Sequence, residues 1–153
     1  MKKQHPLSPE EIYSHAAARC AAREYCRSEW LERMMRAGLT AEEAEKQIDR
    51  LEDEGFIDEK RYALAFVHDK TCYDRWGRLK TRQALRMKGI PTTVADEALA
   101  GIDGKDYAEG LRRLLQTKEK SLPEDLPEHE RRARLARYAA GRGFEAELIF
   151  DII

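Results

Sequence analysis

Ala37-Gly38-Leu39-Thr40-Ala41-Glu42-Glu43-Ala44 reads as the end of one helix and the start of another. Glycine accepts the left-handed conformation that closes a helix. Threonine with glutamate three residues later forms a capping box, and Leu39 stands where a hydrophobic staple packs back on Ala44. Ala44, Ile48 and Leu51 continue at helical spacing toward a second stop at Gly55. Upstream, Ser28 offers a cap for a helix whose inner face carries Trp30, Met34 and Met35. Farther upstream, Ser8-Pro9-Glu10-Glu11 combines an N-cap serine, proline at the first helical position and a glutamate placed to close a capping box. The helix it opens carries Ile12, Tyr13, Ala16, Ala17 and Cys20 on one face.

This three-helix paragraph is written again. Gly38-Leu39 recurs as Gly89-Ile90 and as Gly143-Phe144, at intervals of 51 and 54 residues. The same shifts place Ala44 on Ala95 and Ile149, and Ile48 on Leu99 and Ile153. In the second unit Ala63, Phe66, Val67 and Tyr73 are expected to face inward. In the third, Tyr107, Leu111, Leu114 and Leu115 precede a proline-broken loop over 121–127 and a helix from about Glu128 to Ala140. No strand pattern occurs. The expected fold is all-α, with three tandem three-helix repeats over 9–57, 58–102 and 103–153 forming an elongated, curved array in which each small unit leans on its neighbours.

Composition narrows the function. Lys and Arg number 28 against 29 Asp and Glu in 153 residues, a net charge of -1 with 37% charged and 42% apolar residues. Mean hydropathy is -0.74, yet the apolar residues recur too regularly for a disordered chain. No run approaches the ~20 apolar residues of a membrane span, and Met1-Lys2-Lys3-Gln4-His5-Pro6 leads into no apolar signal core; a cytoplasmic monomer is expected. Cys20, Cys26 and Cys72 are odd in number and lack a Cys-x-x-Cys pair, so they read as reduced structural thiols. His15 and His68 beside Cys20 and Cys72 show no metal-ligand spacing. Ser8, Ser14, Ser28 and Ser121 lack a nucleophile elbow, no Gly-rich phosphate loop occurs, and His5, His15, His68 and His129 are scattered. Neither an enzyme nor a cofactor is expected.

Charge is strongly partitioned. Acids from Glu42 to Glu59 crowd one region, whereas Arg75, Arg78, Lys80, Arg82, Arg86 and Lys88 follow Asp74 with no acid between, and Arg131, Arg132, Arg134, Arg137 and Arg142 form a second basic segment. Arg78, Arg82 and Arg86 share a helical stripe that Arg75 extends. With no acid at i+4 inside this helix, the stripe reads as a face for an external polyanion or acidic partner; pairing with the acidic helix is the competing reading. Arginine's planar fork serves phosphate and carboxylate alike. Trp76, just ahead of the stripe, suits either a turn anchor or an interface stack.

The run 51–63 (Leu-Glu-Asp-Glu-Gly-Phe-Ile-Asp-Glu-Lys-Arg-Tyr-Ala), Trp76-Gly77-Arg78 and Ala84-Leu85-Arg86-Met87-Lys88-Gly89-Ile90 resemble the RecX family; Arg23-Glu24-Tyr25-Cys26 and Arg142-Gly143-Phe144 extend the likeness over nearly the whole chain. The resemblance implies three tandem three-helix repeats and binding in the groove of RecA recombinase filaments on DNA, restraining strand exchange. It also implies an interface at Arg75, Arg78, Lys80, Arg82, Arg86 and Lys88, with Arg134, Arg137 and Arg142 from the terminal basic helix. Trp76 joins this candidate surface. Thr81 departs from the apolar residue usual in the family. The rival expectations are an autonomous protein binding single- or double-stranded DNA and a purely structural helical adaptor.

Overall fold

In a computed structural model, residues 7–153 are described, and among them nine helices and no strand occur. They are α1 Pro9–Ala22, α2 Arg27–Arg36, α3 Ala41–Asp53, α4 Glu59–Cys72, α5 Arg78–Met87, α6 Thr92–Ala100, α7 Gly104–Lys120, α8 Glu128–Gly141 and α9 Ala146–Ile152. Packing is strongest within successive triplets, and each triplet has its own core. Met34, Ile48 and Leu51 fill the first, Leu85 and Leu99 the second, Leu111 and Ile149 the third. Burying each such side chain contributes roughly 1.5–3 kcal/mol.

The caps expected at Ser8 and Thr40 form. Ser8 accepts from the Glu11 amide at 3.2 Å, and Thr40 and Glu43 exchange two 3.1 Å bonds. The recurring glycines share one stop: Gly38, Gly89 and Gly143 have φ of 105°, 76° and 93°. The next amide returns to the carbonyl five residues back each time: Leu39 to Met34, Ile90 to Leu85 and Phe144 to Ala139. This is the Schellman closure.

Four expectations are corrected. Met35 is 47% exposed and Tyr73 75%: Met35 lies one position past the buried Met34, and Tyr73 follows the last residue of α4 as its C-cap. Ser28 does not cap α2. The helix starts one residue earlier, with Cys26 as N-cap and the Glu29 carboxylate accepting from the Cys26 amide at 3.1 Å. The Ser28 hydroxyl instead donates to the Lys88 carbonyl at 2.7 Å. Cys20 and Cys26 are buried and free, but Cys72 is exposed at the end of α4.

Consecutive triplets meet through a repeated junction. In the first, Cys26 inserts into the core of the second triplet and Ser28 reaches Lys88. The repeat shifts carry Cys26 to Gly77 and Lys88 to Arg142, where the contact is made by backbone: Gly77 donates to the Arg142 carbonyl at 2.8 Å and Leu79 to the Gly143 carbonyl at 2.9 Å. The first and third triplets share no hydrogen bond or ion pair among the described residues, so the order in space follows the order in sequence. The accessible surface, 10190 Å², exceeds the about 7,900 Å² of a compact monomer of this mass, as an extended array requires.

Candidate partner-binding surface

Helix α5 begins at Gly77 without a side-chain cap, and the turn before it is held by tertiary contacts. Arg75 is left-handed at φ 55°, an uncommon backbone state for a residue other than glycine. The Trp76 amide donates to the Lys70 carbonyl at 2.9 Å, and Arg75 lies against Gly110, where a Cβ would sit 3.1 Å from its Nη1. Trp76 is half-buried, with the Lys70 and Lys80 ammoniums 4.6 and 4.3 Å from its ring centroid. The indole is a turn anchor already engaged by two cations.

The basic stripe does not face outward along its whole length. Arg78 turns into the junction with the third triplet: its guanidinium is 2.8 Å from Glu145 and stacks 4.0 Å from the Tyr107 ring centroid, while its amide donates to the Tyr107 hydroxyl oxygen at 3.0 Å. Tyr107 donates to Glu145 at 2.5 Å. Burial, then that bond, pushes the Tyr107 phenol well above its ordinary range. Arg142 donates to the Asp74 carbonyl. Arg82 pairs with Asp96 at 3.0 Å, and Lys88 approaches Glu29 at 3.8 Å. The stripe, expected to face an external partner, is therefore partly neutralised within the fold. The acids come from α2, α6 and the turn before α9, not from α5 itself.

Arg86 on α5 and Arg132, Arg134 and Arg137 on α8 are exposed and form no ion pair among the described residues. Arg131 is withdrawn, bonded to the Pro123 carbonyl at 2.9 Å with its side chain 15% exposed. Thr81 is fully buried and its hydroxyl donates to the Gly77 carbonyl at 2.9 Å, so the polar residue at this apolar position is satisfied.

The acidic helix has a partner that sequence reasoning missed. Arg27 sits 3.0, 2.6 and 3.3 Å from Glu45, Asp49 and Glu52. Its solvation loss opposes the charge, but the three carboxylates hold the guanidinium pKa above its usual value. The spacing of those acids on one face of α3 was the available signal; which arginine would meet them was not in the pattern.

A cleft of about 740 Å³ between α4 and α7 is lined by Arg75 and Trp76 together with His68, Cys72 and Asp106. No group of three or more potential metal ligands occurs among the described residues, and no described helix is long and apolar enough to cross a membrane.

The profile of the RecX second three-helix domain matches residues 58–99, and that of the third three-helix domain matches residues 105–153. The chain belongs to the RecX family. The Regulatory protein RecX of Chlorobaculum tepidum is 30% identical over 139 residues, 91% of this chain and 84% of that protein. The Regulatory protein RecX of Xanthomonas citri is 33% identical over 128 residues, 83% of this chain and 76% of that protein. In fold, the crystal structure of RecX from Lactobacillus salivarius agrees with a TM-score of 0.83 at 19% identity, covering 94% of this chain and 93% of that chain. Family membership makes this a regulatory protein.

Proposed function

We propose that this chain regulates the RecA recombinase by lying along its filament on DNA, restraining strand exchange and filament growth without catalysing a reaction. In this reading it works as a cytoplasmic monomer with repeats at 9–57, 58–102 and 103–153. Its interface centres on Arg86, Arg134 and Arg137, with Arg82 and Lys80 at the margin. Arg75, Trp76, Arg78, Lys88 and Arg142 shape the surface from beneath.

One observation carries the reading. In the second and third triplets the exposed helical arginines without an ion pair, Arg86, Arg132, Arg134 and Arg137, lie on the middle helices α5 and α8, whereas α6 and α9 carry acids and no base, and α3 is mainly acidic. A protein reading duplex DNA through the final helix of a helix-turn-helix places base-contacting residues there; carboxylates facing phosphate oppose that geometry. The distribution favours a filament ligand over an autonomous duplex reader. Phosphate contacts by these four arginines alone would contribute a logarithmic salt slope of only about -3.6.

The test is recombinase strand exchange and filament assembly with this protein added. Inhibition that tracks occupancy of the filament supports the reading; unchanged activity at saturating occupancy removes it. Tight binding to duplex DNA without recombinase would favour the autonomous reader.

A further inference from the structure

The solvent face of α5 is not purely cationic. Leu79 is 50% exposed and Met87 78%, and neither joins the core of the second triplet. At 3.6 residues per turn, Arg82, Arg86, Leu79, Gln83 and Met87 share about 140° of the helix circumference. The opposite side, Thr81 and Leu85, is fully buried. The exposed arc therefore has an apolar line, Leu79 to Met87, with two arginines along one edge.

The magnitudes distinguish the kinds of partner. Arg82 is already matched by Asp96 at 3.0 Å, which leaves Arg86 as the uncompensated cation of this arc. One cation changes a nucleic-acid salt slope by only about -0.9, and a phosphate backbone offers Leu79 and Met87 nothing apolar to meet. A protein surface meets both needs. Methionine adapts to an irregular apolar socket, and arginine at a rim forks onto carboxylate. The ridge is also pre-organised, because the start of α5 is bonded by Gly77 and Leu79 to the carbonyls of Arg142 and Gly143 at 2.8 and 2.9 Å.

We propose that α5 is a protein-docking ridge, in which Leu79 and Met87 enter an apolar socket and Arg86 meets a carboxylate at its edge. The recombinase reading supplies the partner's identity; the chemistry of the socket follows from the ridge. Phosphate is not the ligand of this face.

The experiment compares the whole chain carrying Leu79→Ser with Met87→Ser, the Met87→Leu variant and the parent. Each is titrated against recombinase filaments on single-stranded DNA and against the bare DNA. The double variant is expected to bind filaments at least about tenfold more weakly, with bare-DNA affinity and salt slope unchanged and helical content retained, while Met87→Leu stays near the parent. Parent-like filament binding by the double variant would overturn the ridge alone, as would parallel losses on filament and bare DNA. A parent chain that does not bind filaments would remove the functional reading and this partner assignment together.

Discussion

Gly77 and Gly143 pack backbone against backbone. A Cβ on Gly77 would stand 2.2 Å from the Gly143 carbonyl carbon, and one on Gly143 would stand 2.3 Å from the Lys80 Cβ. Gly38, at the equivalent helix stop of the first triplet, has nothing within 4 Å of such a Cβ. One residue type thus answers two demands: Gly38 serves backbone conformation only, whereas Gly143 also permits the approach of α5 from the second triplet.

Alanine at these positions should grade accordingly. Gly38→Ala carries only the left-handed penalty, about 1–2 kcal/mol. Gly77→Ala overpacks a backbone contact and should cost on the order of 3 kcal/mol, with the second and third triplets losing their common unfolding transition. Urea denaturation monitored by helical signal and by tryptophan fluorescence checks both; equal losses would refute the distinction.

The arginines of α5 should separate by role. Arg78→Ala removes the partner of Glu145 and Tyr107 from a partly buried junction and should destabilise by about 1–3 kcal/mol. Arg86→Ala should leave stability within about 0.5 kcal/mol and lower filament affinity. Thermal melts paired with binding titrations read the two effects; a stability loss from Arg86→Ala would place that side chain in the fold.

Thr81→Val should cost no more than about 1 kcal/mol. The Gly77 carbonyl keeps the Thr81 amide as its partner at 3.1 Å, and the volume is conserved. A larger loss would mean that the hydroxyl bond at 2.9 Å holds the start of α5 by itself.

Tyr13 predicts an alkaline limit. Burial, followed by its bond to the Glu54 carboxylate, pushes the phenol up to about 12. The unfolded chain releases this proton near pH 10, so this contribution is complete below that value and is lost as pH rises toward about 12. Tyr13→Phe should flatten the decline in folding free energy across this window, as measured by denaturant titration at stepped pH.

Thiol chemistry should distinguish the three cysteines. Burial raises the Cys20 and Cys26 thiols above their ordinary range, and only Cys72 is exposed. Alkylation read by mass spectrometry is expected to mark Cys72 in the native protein and the other two only on unfolding. Native labelling of Cys26 would show that the junction between the first two triplets opens.

The helices and their repetition were legible in the chain because caps, glycine stops and apolar spacing act within a few residues of one another. Ser8, Thr40 and the stops at Gly38, Gly89 and Gly143 needed no distant partner to be read. The charged surface was not legible in the same way. Arg78, Arg82 and Arg86 are equivalent along α5, yet Glu145, Asp96 and open solvent give them three different environments. Those carboxylates stand 67 residues from Arg78 and on another helix from Arg82. Helical periodicity orders neighbours on one element, whereas the pairing of charge depends on which elements the fold brings together, and only the tertiary structure decides that.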